Sequence, residues 1–103
     1  MHPSKVDRNN LHSLTDLPNV GAATAGDLKL LGIHSPIELV ARDPFQLYEE
    51  LCTQTGERHD PCVIDVFMSI IHFIEGGPPK PWWDFTSQRK SMQNVKRSGP
   101  EAN

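Results

Sequence analysis

At 103 residues, 37% of them hydrophobic, the chain is long enough for one domain and too short for two sizeable ones. Its formal net charge is −3, unevenly placed: residues 1–79 carry −6 and residues 80–103 carry +3. A body of that sign is a poor electrostatic trap for DNA, and two cysteines exclude a secreted-type disulfide framework.

The predicted organisation is all-α, about five helices over residues 10–85, with a flexible lead-in over 1–9 and a basic, disordered tail over 86–103. A short first helix is expected from about Asn10 to Thr15, carried by Leu11 and Leu14. Leu17-Pro18-Asn19-Val20-Gly21 then makes a turn: Pro18 steers Leu17 away from helix, and Asn19 tolerates a left-handed backbone. Gly21 presents backbone with no side chain, so another group can approach closely.

The second helix runs from about Ala22 to Leu31 on Ala25, Leu28 and Leu31. Gly32 stops it, and Ile33 packs back against it. Ser35-Pro36-Ile37-Glu38 is a capping-box start for a short helix to about Ala41. Asp43-Pro44 repeats the cap-plus-proline device for a helix to about Thr53, with Phe45, Leu47, Tyr48 and Leu51 as its apolar side. Asp60-Pro61 uses it a third time and opens the most apolar helix, about Pro61 to Glu75, whose core face is Val63, Val66, Phe67, Ile70, Ile71 and Ile74. Gly76-Gly77-Pro78-Pro79 ends it. Pro81-Trp82-Trp83-Asp84-Phe85 is expected to pack over the end of the core, and from Thr86 onward no periodicity remains.

The 13-residue stretch CVIDVFMSIIHFI contains Asp65 and His72 and is too short and too polar to span a bilayer. The opening MHPSKVDRNN lacks the apolar run of a signal peptide. The expected setting is therefore cytoplasmic, without membrane partners.

The spacing Leu14-x-x-Leu17-Pro18-Asn19-Val20-Gly21-x-x-x-Ala25-x-x-Leu28-x-x-Leu31-Gly32-Ile33 resembles the helix-hairpin-helix motif. Its second helix opens directly after Gly21, so its first amides lack partners and form a ready anion site. The resemblance implies that Asn19 and Gly21 stand at the motif's two glycine positions. It also implies that the amides of Gly21, Ala22 and Ala23 face a phosphate, with Val20 holding the turn and Lys29 as local basic help. It further implies a monovalent cation on the turn carbonyls. Ala22 and Ala23 stand where many DNA-binding members place a basic residue, and Asp27 follows one turn later. Pro36 to Leu51 reads as a degenerate second copy. It has Ala41-Arg42-Asp43-Pro44 in place of the glycine turn, so no phosphate is assigned to it.

On a larger scale, DLPNVGAATAGDLKLLGIHSPIELVARDPFQLYEELC, the DPC-led apolar helix and the PWWDF segment resemble the small pathogenicity locus, or mitomycin-resistance-related, family. The LGIHSP-to-LYEELC portion is also similar to the C-terminal domain of the competence regulator TfoX. Both resemblances imply a helical fold, and neither implies a reaction.

Three functions follow. The leading one is non-catalytic, sequence-independent binding of the nucleic-acid backbone through residues 19–23, with DNA held weakly and in a salt-dependent way. Lys80, Arg89, Lys90, Lys96 and Arg97 are available as a basic arm. The second is a protein-interaction module in which the hairpin is structural. The third is a metal- or thiol-dependent activity at Cys52, His59 and Cys62. Zinc there would lack a fourth ligand unless Asp60 or His72 served, and Cys62 in a first helical turn would have a lowered pKa with His59 as base. No Walker loop, dinucleotide fingerprint or hydrolase signature is present, so no catalytic residue is assigned. Monomer and homodimer both remain open at this level.

Overall fold

In the computed structural model the backbone is described for residues 1–101 and the side chains for residues 1–93. The regular secondary structure among the described residues is all helical. It comprises four α-helices, α1 (Ala22–Leu30), α2 (Pro44–Thr55), α3 (Cys62–Ile74) and α4 (Thr86–Glu101), and four 3₁₀ turns: Pro3–Lys5 and Leu14–Asp16 before α1, Pro36–Leu39 before α2 and Trp82–Phe85 before α4.

α3 is the hub. Ile64, Phe67, Met68, Ile70, Ile71 and Phe73 are all buried, while Val63, Val66 and Ile74 are half-buried. The buried surface therefore wraps further round the helix than the face expected from sequence. The reason lies downstream: the Trp82–Phe85 turn and α4 pack on α3 and cover the side that α2 leaves open. The tail expected to be disordered from Thr86 is helical instead, because its first turns are anchored. Arg89 donates from Nε to Asp65 Oδ1 at 2.7 Å, and Thr86 Oγ1 donates to Asp65 Oδ2 at 2.6 Å. Residues 102 and 103 lie outside the described residues.

The opposite end of the chain is also fastened. Arg8, expected in a loose lead-in, lies over the Phe73 ring at 3.9 Å and donates to the Phe73 and Gly77 carbonyls. The first helix expected from Asn10 contracts to the single turn Leu14–Asp16. Short polar side chains compete for the backbone there. Asp7 accepts from the Asn9 amide at 2.9 Å, and Asp16 accepts from the amides of His12 and Ser13, both at 2.9 Å. These amide bonds also hold the Asp16 carboxyl below its usual range.

The predicted helix starts and stops are present, although Ser35 bonds Glu38 and no amide, and α3 opens one residue late, at Cys62 after Pro61. Gly32, at φ 81°, closes α1, and Ile33 donates back to the Leu28 carbonyl at 3.0 Å and is buried. Ser35 and Glu38 pair at 2.8 Å, Asp43 caps α2, and Asp60 accepts from the Cys62 amide at 2.9 Å to open α3. The first two of the expected short helices are 3₁₀ turns rather than α-helix, and α2 runs two residues further than expected, to Thr55.

Two segments repeat one backbone course at an offset of 22 positions. Ser13 and Ser35 precede the 3₁₀ turns, Asp16 and Glu38 accept from the amides just before them, and Leu17 and Leu39 are fully buried. Asn19 and Ala41 then both enter the left-handed region, at φ 65° and 64°. Gly21 and Asp43 follow as the N-caps of α1 and α2. Ala41 is the less suited of the two left-handed residues, since its side chain adds about 1 kcal/mol of strain there. Ala41→Gly is therefore expected to raise stability by about 0.5–1 kcal/mol. Urea unfolding should show a higher midpoint at unchanged slope.

Candidate functional site

The turn between Leu17 and Ala22 is held from three sides. Leu17, Pro18 and Val20 are buried beneath it. The Asn19 amide donates to the Met1 carbonyl at 2.7 Å, and the Met1 ammonium donates to the carbonyls of Leu17 and Val20 at 2.8 and 2.6 Å. The Asn19 side chain spends both its N–H groups on distant partners, Ser69 Oγ at 2.9 Å and the Lys80 carbonyl at 2.8 Å. Asn19 thus ties the turn to α3 and to the segment leading into the tryptophans. No spacing in the sequence announces that tether.

Beyond the turn, Gly21, Ala22 and Ala23 are exposed at the open end of α1. Gly21 sits at φ −101°, ψ −169°, an extended conformation open to any residue, and a Cβ built on it meets nothing within 4 Å. The fold therefore does not demand glycine here. The equivalent end of α2 is closed by its own side chain: Asp43 Oδ1 accepts from the amides of Phe45 and Gln46 at 2.8 and 3.4 Å. The same backbone course thus leaves one helix start open and plugs the other.

The structure brings Asn19, Val20, Gly21, Ala22 and Ala23 together, but not Lys29. Lys29 lies in the last turn of α1, about 10 Å along the axis from those amides. Of the tail cations, Arg89 is buried against Asp65 and is not free for a ligand. Lys80 adjoins the turn through its backbone. The side chains of Lys96 and Arg97 lie outside the described residues.

A cleft of about 540 Å³ runs from Gly21 and Asn19 to Trp82 and Trp83. The PWWDF segment, expected to pack over the core, does so only in part. Phe85 is buried and Trp82 half-buried, whereas Trp83 stays 60% exposed.

Cys52, His59 and Cys62 do not converge. Among the described residues no group of three or more His, Cys, Asp and Glu is arranged to hold a metal ion. Cys52 is buried in α2 with Arg58 Nη1 at 3.8 Å, and His59 Nε2 lies 2.7 Å from Thr55 Oγ1. The Cys62 thiol moves opposite to the expected direction: burial pushes its pKa up, and Asp60 adds to the rise. The helix start that would have activated it already carries the Asp60 carboxylate.

Comparison with known proteins agrees with the extent of this helical body. The family model Cdd1, pathogenicity locus, matches residues 7–91. The chain belongs to the pathogenicity locus family. Within reach of this family it is similar to a mitomycin resistance protein, McrB, of Streptomyces lavendulae. The two are 42% identical over 79 residues, which cover 77% of this chain and 75% of the relative. No solved structure matches it. The family match spans the turn, both tryptophans and the Asp65–Arg89 pair, while the Met1 anchor of the turn lies outside it. No helix among the described residues of this family member is long and apolar enough to cross a membrane.

Proposed function

We propose that the protein binds the phosphate backbone of nucleic acid, without base specificity and without catalysis, through the Asn19–Ala23 turn used as a helix-hairpin-helix unit. One observation carries the reading: two equivalent turns open two helices, and only the one at Gly21 leaves its amides uncapped by a side chain. Those amides and the helix dipole suit an anion, and the missing side chain at Gly21 lets it come close. In the same reading the Leu17 and Val20 carbonyls are the oxygens that a monovalent cation would use in exchange for the Met1 ammonium. With a −6 body and few phosphate contacts, binding is weak, in the range of about 10⁻⁴–10⁻⁶ M.

Gly21→Val is the clean test, because a side chain there meets open space and the helices should survive. Labelled duplex and single-stranded DNA are titrated at about 50 and 200 mM salt, with helicity checked by circular dichroism. Binding that weakens with salt and drops at least about tenfold in the folded variant supports the hairpin. No binding at low salt overturns it. The second reading, a protein-docking module, is favoured by a separate apolar surface in which Ile37 and Val40 are 72% and 52% exposed beside a groove with Leu11 and Ile74.

A further inference from the structure

Tryptophan is the side chain with the most apolar area to hide, yet Trp83 keeps 60% of its surface in solvent. It is not loose. Trp82 meets it edge to face, with centroids 5.6 Å apart and planes at 82°. On one side of the pair the Asn19 side chain holds the Lys80 carbonyl, and on the other Phe85 is buried. The indoles thus form a fixed ledge facing the turn. The cleft between them, about 540 Å³, falls within the ~300–1,000 Å³ of small-ligand sites. Pro3, Val20 and Pro81 add apolar wall, and Thr15 and Asn19 add a polar edge.

Charge complementarity selects the occupant. One end of the cleft is Gly21, at the positive end of α1, and the other end is a pair of aromatic faces. A nucleotide in an unpaired strand has matching ends, an anionic phosphate and a planar base. An apolar peptide would use the walls and leave the α1 amides unmet. A duplex hides its base faces and depends on many phosphate contacts, which the −6 body disfavours. Stacking requires no cationic side chain.

We propose that this cleft binds an unpaired base of single-stranded nucleic acid, stacked on the Trp83 indole. The proposal rests on the hairpin reading only for the phosphate at Gly21. The base site stands on the ledge and the cleft.

The test uses the full chain with a labelled thymidine strand of about 12 nucleotides, a duplex of the same length, and thymidine monophosphate as competitor. Trp82 and Trp83 are the two tryptophans of the sequence, so their emission reports on the cleft alone. The strand should quench that emission and bind more tightly than the duplex. Trp83→Ala should weaken strand binding about tenfold or more, Trp83→Phe should retain an intermediate affinity, and neither should change duplex binding. Trp83 is exposed, so both variants should keep their helicity. Equal affinity for strand and duplex with no effect of Trp83→Ala overturns the proposal and leaves the hairpin reading standing. Loss in Trp83→Ala with full binding by Gly21→Val supports the base site and removes the phosphate contact. Displacement of the strand by an equal concentration of thymidine monophosphate overturns the commitment to a strand. No binding of any probe removes both.

Discussion

Replacing Arg89 with methionine is expected to cost about 3–5 kcal/mol of folding stability. Asp65 is fully buried in α3 and accepts from Arg89 and from Thr86. Removing the guanidinium leaves a carboxylate in the core with one hydroxyl to satisfy it, and water cannot replace the lost charge. A domain of this size is stable by only about 5–15 kcal/mol, so the variant should lie near the edge of unfolding. It should also release α4, whose described side-chain anchors are this pair and Thr86. Chemical unfolding followed by circular dichroism measures the cost. The companion variant Asp65→Leu with Arg89→Met should recover most of it, since an apolar pair removes the unpaired charge together with its partner. A loss below about 1 kcal/mol in the single variant would mean that the pair behaves as a solvated surface bridge and does not anchor the helix.

The second large effect is expected at Gly77. A Cβ there would lie 2.2 Å from His72 Nε2 and within 2.6 Å of two further atoms of the same ring. The half-buried imidazole would have to swing aside, toward the cavity of about 180 Å³ that it lines with Met68 and Gln88. It meets Phe85 edge-on at 5.4 Å, and its Nε2 is buried without a hydrogen-bond partner among the described residues. Gly77 is not in the left-handed region, so its backbone accepts alanine and the obstacle is the ring alone. Gly77→Ala should therefore cost about 1–3 kcal/mol by overpacking. In a His72→Ala background the same change should cost almost nothing. A double-mutant cycle reads the difference as a coupling between the two sites. Equal cost in both backgrounds would place the strain elsewhere.

Much of this architecture is legible in the sequence because its signals are local. Ser35-x-x-Glu38, Asp43-Pro44 and Asp60-Pro61 mark helix starts through side chains that bond amides two to four residues away, and Gly32 marks a stop through its own backbone. The left-handed turn at Asn19 and the exposed amides after Gly21 are readable for the same reason. What escapes is long-range. Nothing near Arg8 or Arg89 shows that each reaches α3, so both ends of the chain look loose while they are held. The Asn19 tether to Ser69 and Lys80 spans 50 and 61 positions, and with the packing of Phe85 on α3 it sets the tryptophans beside the turn. The second copy of the turn looked degenerate because Ala41-Arg42-Asp43-Pro44 stands in place of the glycine turn. Its backbone conformation, set by buried Leu39 and by the Asp43 cap, does not differ. Cys62 failed as a candidate nucleophile for a local reason: the acid that caps the helix also raises the thiol's pKa.

The fastening of α3 from both ends of the chain bears on solubility. CVIDVFMSIIHFI is rich in β-branched and aromatic residues, with one carboxylate in thirteen positions, the composition of a segment that pairs with copies of itself when uncovered. Arg8 lies against Phe73 near its C-terminal end, and Arg89 holds the carboxylate near its start. The two arginines therefore act as gatekeepers on a stretch that contains no lysine or arginine of its own. Whatever else the lead-in and α4 do, they keep the most aggregation-prone part of the protein out of reach of its neighbours.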